Sequence, residues 1–126
     1  KVRAKLGERR PSPRTIPVSS QFFKFINTNI NKYKIYSTNN YDLVIKNLAK
    51  KANIKNFEDY SSHNIRKTFG TWMLALGVDG FKLAQHLGHS ADMLRTHYAS
   101  PDIFNYHDKD IMRDILGDLP GRLRSN

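Results

Sequence analysis

Three basic side chains and one tyrosine are spaced in a way that suits chemistry on a phosphate group. His63 and Arg66 lie three residues apart at the predicted start of a helix, so they share one face of it. His89 follows in a Leu-Gly-His turn, and Tyr98 comes nine residues after it. A guanidinium can grip a phosphate through two parallel hydrogen bonds. An imidazole can bind a phosphate oxygen or move a proton near neutral pH.

The residue that these groups would activate is Tyr98. A free phenol has a pKa of about 10, so it attacks at neutral pH only when a base or a strong positive field assists it. Arg66 can stabilise charge on the non-bridging oxygens of a phosphate in the transition state. Attack by Tyr98 on a phosphodiester gives a phosphotyrosine ester and a free hydroxyl group. The pattern therefore predicts phosphoryl transfer without a metal ion, because arginine and histidine supply the positive charge.

These residues need a scaffold, and the sequence predicts a mainly α-helical one with a small N-terminal β-hairpin. Residues 1–18 are basic and hold glycine, serine and proline between two short stretches that can form strands. A first helix is predicted to begin at Ser19 or Ser20, and a second to follow the polar break at residues 37–40. Residues 53–62 are predicted to form a loop.

The clearest helix carries the histidine–arginine pair. Ser61 or Ser62 can cap its start, and Gly77 is placed to end it. A short helix capped by Asp79 and ended by Gly88 is predicted to follow. Burial of Ile65 and Phe69 would leave the histidine–arginine pair facing solvent or a ligand. These two residues begin an apolar stripe on the helix: Ile65, Phe69, Trp72, Met73 and Leu76.

The last third of the chain is predicted to hold short helices. Ser90 can cap one that runs to about Tyr98, another is predicted over residues 108–116, and residues 120–126 are predicted to be a tail. The helix after Tyr98 can dock on a neighbouring protomer or pack on its own domain. The predicted layout is one domain over 1–126, with a hairpin at 1–18, a helical core at 19–100 and a C-terminal helix and tail at 101–126.

Composition and charge narrow the class of protein. The 126 residues are 39% hydrophobic and 25% charged, as in one globular domain, and the absence of cysteine excludes a disulfide scaffold or a thiolate site. No apolar run is long enough to span a bilayer, so we expect a soluble, cytoplasmic protein with no membrane partner. Residues 1–55 carry a net charge of +11 and residues 56–126 one of −1. This asymmetry predicts a polyanionic partner, nucleic acid foremost.

Three stretches of this sequence are similar to successive motifs of one known family. They are His63-Asn-Ile-Arg-Lys-Thr-Phe, Leu87-Gly-His-Ser and Thr96-His-Tyr-Ala. Together they resemble the C-terminal signature of the tyrosine recombinases, or phage-type integrases, and the intervals between them agree with that family. The resemblance is strong over residues 57–100 and weaker over residues 1–18. It implies the family's catalytic-domain fold, of which this chain would form the C-terminal portion.

The resemblance also implies a role for each of the four chemical residues. Tyr98 would be the nucleophile that forms a 3′-phosphotyrosine with DNA and frees a 5′-hydroxyl. Arg66 would be the second of the family's two catalytic arginines and would clamp the scissile phosphate. His63 would assist as a proton shuttle or phosphate ligand, and His89 as a phosphate ligand. The activity implied is site-specific recombination or integration of DNA, by cutting and rejoining, as in mobile elements.

The implied partners are double-stranded DNA and, at the synapse, three further copies of the protein in a homotetramer, with no cofactor. The family's general acid is a hairpin lysine, for which Lys5 is the candidate, and Lys1, Arg9 and Arg10 remain open. The residues predicted to bind DNA are Arg3, Arg9, Arg10, Arg14 and Lys67.

One departure from the family and three alternatives stay open at this point. The family's first catalytic arginine lies upstream of the hairpin and has no counterpart in these residues, which can leave the chain inactive by itself. A type IB topoisomerase uses the same chemistry without strand exchange. A non-catalytic DNA-binding module would share the charge pattern. A metal-dependent nuclease would instead use His63, His86 and His89.

Overall fold

The structure of the chain is a computed structural model, which describes residues 15–32, 38–90, 92, 94 and 101–125. These residues are mostly helical and include no β-strand, so the prediction of a mainly α fold is confirmed for them. None of their helices is both long enough and apolar enough to cross a membrane. The α-helices are α1 (Ser20–Asn29), α2 (Thr38–Lys51), α3 (Ser62–Ala75), α4 (Gly80–Leu87), α5 (Tyr106–Leu116) and α6 (Leu119–Ser125), with 3-10 turns at Phe57–Asp59 and Pro101–Ile103.

The predicted β-hairpin is not supported where it can be examined. Residues 1–14 lie outside the described residues, and residues 15–18, assigned to the returning strand, belong to no strand. Pro17 has no backbone N–H to donate to a strand ladder. This short stretch lies instead beside α6, where Pro17 and Arg122 line the same surface pockets.

Helix α1 begins where its capping residue predicted, but no core packing holds it. The Ser19 side chain accepts a hydrogen bond from the Phe22 backbone N–H at 3.1 Å, which caps the helix. None of its residues is buried, and Phe22, Phe23 and Phe25 are each about half exposed. Ser20 donates two hydrogen bonds to Asp118, just before α6, and its hydroxyl accepts one from Arg122.

The core forms around α3, which packs against α2, α4, α5 and the turn Pro101–Ile103. Met73 of α3 and Leu83 of α4 are fully buried. Full burial of such side chains stabilises a fold by about 1.5–3 kcal/mol each. Their cluster also contains Val78, Ala84, Leu87, Leu94, Leu119 and Leu123, and a second cluster joins Ala75, Leu76 and Met112.

The expectation that Ile65 lies on the buried face of α3 was wrong. Ile65 is 53% exposed, whereas Phe69, one turn later, is partly buried against the core. The first turn of α3 extends past the core. Ile65 therefore lines an open apolar groove of about 370 Å³ that Trp72 and Ile115 also border.

The predicted C-terminal ends of α3 and α4 and the predicted N-cap of α4 are confirmed. Gly77 has a φ of +82°, and Gly88 one of +71°, and both follow the last turns of their helices. Asp79 caps α4 by accepting from the backbone N–H groups of Phe81 and Lys82. Most of the helix predicted from Ser90 lies outside the described residues, although Leu94 is buried in the core.

The prediction of a C-terminal tail over residues 120–126 was wrong. Residues Leu119–Ser125 form α6, in which Leu119, Pro120 and Leu123 are buried. Proline is tolerated in a first helical turn because the N–H it lacks has no partner there. The preceding helix begins two residues earlier than predicted, at Tyr106, behind a capping box made by Asn105 and Asp108. In the described residues this end of the chain packs on its own domain, one of the two alternatives considered.

Candidate active site

The guanidinium of Arg66 is held between two groups at the end of α4. Its Nε donates to Nε2 of His89 at 3.1 Å, and its Nη2 lies 2.9 Å from the same nitrogen. Nη2 also donates to the backbone carbonyl of Leu87. All three contacts are partly buried. Arg66 and His89, twenty-three positions apart in the chain, thus meet in the structure.

A specific turn at the end of α4 aims His89 and the Leu87 carbonyl at α3. The His89 N–H donates to the Ala84 carbonyl at 2.9 Å, and the Gly88 N–H donates to the Gln85 carbonyl at 3.2 Å. These two bonds define a Schellman motif, which requires the left-handed backbone that Gly88 supplies. The Leu-Gly-His sequence therefore forms a rigid turn that fixes the imidazole.

The contact with Arg66 determines which protonation state of His89 this arrangement accommodates. A guanidinium only donates hydrogen bonds, so Nε2 of His89 must accept. The imidazole is then neutral, with its proton on Nδ1, an assignment that follows from the hydrogen bond. A phosphate oxygen could replace Nε2 as the acceptor for Arg66. That exchange would free Nε2 of His89 to take up a proton and bind the same anion.

His63 occupies the exposed first turn of α3, one helical turn before Arg66. The N–H of its neighbour Ser62 donates to the carboxylate of Asp42, on α2, at 2.7 Å. This backbone hydrogen bond has the largest effect on the pKa of Asp42, which it lowers, and a hydrogen bond from the Ser62 hydroxyl lowers it further. The positive charge of Lys46 acts in the same direction. The carboxylate is therefore ionised at neutral pH, where it also suits the positive end of the α3 dipole.

Several of the predicted site residues lie outside the described residues. They are Tyr98, Lys5, Arg3, Arg9, Arg10 and Arg14. Lys67 is described and is partly exposed on α3, directly after Arg66.

Sequence reasoning missed two contributors to the site, the Leu87 carbonyl and Asp42. No local motif marks either one, because both act on residues twenty or more positions away.

The histidines considered as metal ligands are arranged differently. The His86 ring packs on Phe69, with 5.7 Å between ring centroids. Among the described residues, no three histidine, aspartate or glutamate side chains come together as metal ligands would. The nuclease alternative therefore has no supporting geometry in that part of the chain.

Comparison of the sequence with models of known protein families gives one match. The model of the phage integrase family matches residues 10–103, which is most of the chain. The chain belongs to the phage integrase family. Membership supports a DNA-cutting function of the tyrosine recombinase type in general, and it implies DNA as a partner. No curated protein and no solved structure matched the chain.

Proposed function

We propose that this chain is a catalytic part of a site-specific DNA recombinase that works through a 3′-phosphotyrosine intermediate. The observation that carries the proposal is the contact between Arg66 and His89, held by the turn after α4. Two phosphate-binding side chains from distant positions converge there on one point. Their types, their spacing to Tyr98 and the family match all fit one reaction.

The reaction is a transesterification, in which the energy of the phosphodiester bond is retained in the phosphotyrosine ester. The Tyr98 oxygen attacks the scissile phosphorus while its proton passes to a base, for which His63 is the candidate, and the bond from phosphorus to the 5′-oxygen breaks. The leaving 5′-oxygen receives a proton from a general acid, for which Lys5 is the candidate beside Lys1, Arg9 and Arg10. A 5′-hydroxyl of a second strand then reverses these steps and releases Tyr98. Neither ATP nor a cofactor takes part.

The basic side chains would have different roles in this reaction, according to where they lie. Arg66 and His89 would bind the non-bridging oxygens, where each such contact is worth about a hundred- to thousand-fold in rate. His63, on the same face of α3, would move a proton or bind the phosphate. The N-terminal basic residues and Lys67 would bind flanking phosphates, so affinity for DNA would fall with rising salt.

The wider organisation follows from the same proposal. Residues 1–126 would form one part of a catalytic domain, with residues 1–18 as its basic N-terminal segment and residues 101–126 as its C-terminal helices. Four protomers would assemble around two duplexes, associated with cellular DNA. Strand transfer between two duplexes would distinguish recombination from simple relaxation by a topoisomerase.

The proposal is tested by covalent trapping. The protein at its natural length is incubated with a duplex of its own site, nicked near the cleavage position so that the 5′-hydroxyl diffuses away. A denaturing gel without added metal should show a protease-sensitive DNA adduct. The adduct should disappear with Tyr98→Phe and persist with Tyr106→Phe, a matched control since Tyr106 is 87% exposed on α5. Absence of an adduct from the unaltered protein would contradict catalysis and leave a DNA-binding module.

A further inference from the structure

The start of α3 is capped from another helix. Ser61 occupies the N-cap position, but its side chain makes no capping bond and its hydroxyl donates instead to the Asn64 side chain at 2.5 Å. The Ser62 N–H is satisfied by the carboxylate of Asp42, twenty residues earlier in the chain. Asp42 therefore satisfies, from another helix, one of the N–H groups that have no partner within the first turn of α3.

The helix that carries Asp42 is anchored at its opposite end. Ala49 is buried, and its carbonyl accepts from the Ile54 N–H at 3.0 Å. The Lys50 ammonium lies 5.5 Å from the centre of the Phe57 ring, within the range of a cation–π contact. Because α2 is fixed there, Asp42 can restrain the first turn of α3.

The two catalytic candidates on α3 consequently have different supports. Arg66 is held by His89 and by the Leu87 carbonyl, both of which belong to the end of α4. His63 directly follows Ser62, the residue that Asp42 binds. Loss of the Asp42 contact should loosen the turn that carries His63 and leave the Arg66 contacts in place.

We infer that Asp42 is a positioning residue for His63, which sets the first turn of α3 so that the imidazole reaches the scissile phosphate. The inference rests on the proposed function for its catalytic consequence, and on the hydrogen bond to Ser62 for its structural one. Asparagine caps helices about as well as aspartate does, so Asp42→Asn should retain the restraint. Asp42→Ala should remove it.

The catalytic test measures the rate of adduct formation under single-turnover conditions. Asp42→Ala should slow it about ten-fold, a fraction of what a general acid or base contributes. Asp42→Asn should restore most of the rate, and Asp110→Ala, which removes an exposed acid of α5, should have no effect. In a His63→Ala background, Asp42→Ala should cause no further loss. An equal loss in both backgrounds would overturn the inference.

A second measurement does not depend on activity. The imidazole signals of His63 and His89 are compared by NMR in the unaltered protein and in Asp42→Ala, with His63→Ala used for assignment. The inference predicts that the His63 signal shifts and broadens, while the His89 signal stays in place. An unchanged His63 signal would refute it, whether or not the protein cuts DNA. A shifted signal from a protein that forms no adduct would instead contradict the proposed function alone.

Discussion

At the scale of single residues, the site depends on what a guanidinium can do that other cations cannot. Arg66 donates hydrogen bonds to the His89 ring and to the Leu87 carbonyl at once, through different nitrogens of one planar group. A lysine ammonium is a point charge on a flexible stem, and it does not reproduce this fork. The same fork is what two oxygens of a phosphate require.

We therefore expect Arg66→Lys to impair catalysis far more than it impairs folding. The rate of adduct formation should fall about a hundred- to thousand-fold, the loss typical of one preorganised contact to the transition state. The melting temperature should change little, and Arg113→Lys on the exposed face of α5 serves as the matched control. Near-normal cleavage by Arg66→Lys would show that the guanidinium does not bind the phosphate.

At the scale of elements, local signals in the sequence predicted the helices of the site well. Ser19, Asp79 and Gly88 fix helix ends through bonds to their near neighbours, and such bonds depend on short stretches of sequence. The cap on α3 was missed because its donor and acceptor lie twenty residues apart. Helix α6 was missed because burial of Leu119 and Leu123 in the core, rather than a capping signal, stabilises it.

The turn after α4 gives a prediction at this scale. Gly88→Ala places a side chain on a left-handed backbone, at a cost of about 1–2 kcal/mol of stability. The Schellman turn should distort, and with it the positions of His89 and the Leu87 carbonyl, so cleavage should fall as well. Gly121→Ala in α6 is the matched control, because an added Cβ there meets nothing within 4 Å. Thermal melting and the trapping assay measure the two effects.

If Gly88→Ala left both stability and cleavage unchanged, the turn would not be what positions His89. A loss of stability with normal cleavage would show that the contact with Arg66 is dispensable for the reaction. We expect both quantities to fall together, since one turn supports both.

At the scale of the whole molecule, the start of α1 is tied to the C-terminal helices across almost the entire described chain. Asp118 accepts from the Ser20 backbone N–H at 2.8 Å and from its hydroxyl at 2.5 Å. Arg122 donates to Asp118 at 2.9 Å and to the Ser20 hydroxyl at 2.6 Å. Nothing in the sequence near either end predicted this contact, because 98 residues separate its partners.

This contact predicts how α1 responds to pH. Hydrogen bonds from Ser20, and then from Arg122, hold the pKa of Asp118 well below its ordinary value of 3.8. The ionised carboxylate thus stabilises the contact fully above that value, and the stabilisation is lost as the pH falls through the lowered pKa. Asp118→Ala should speed hydrogen exchange of α1 amides several-fold at about pH 7 and leave α3 unaffected.

The difference between Asp118→Ala and the unaltered protein should shrink at about pH 2, where the Asp118 contact is weakened in the unaltered protein and is already absent from the variant. Asp110→Ala, which removes an exposed acid paired with Arg113 of its own helix, should match the unaltered protein throughout. Equal protection of α1 in Asp118→Ala at neutral pH would show that other contacts hold this helix.

The proposed function requires that Tyr98 becomes covalently linked to DNA. Mass spectrometry of the trapped adduct, after nuclease and trypsin digestion, tests it most directly. Cleavage after Arg95 and Lys109 gives one peptide that contains both Tyr98 and Tyr106, so fragmentation locates the attached nucleotide within a single molecule. We predict a nucleotide joined through its 3′-phosphate to Tyr98, and an unmodified Tyr106. A nucleotide on any other residue, or on none, would contradict it.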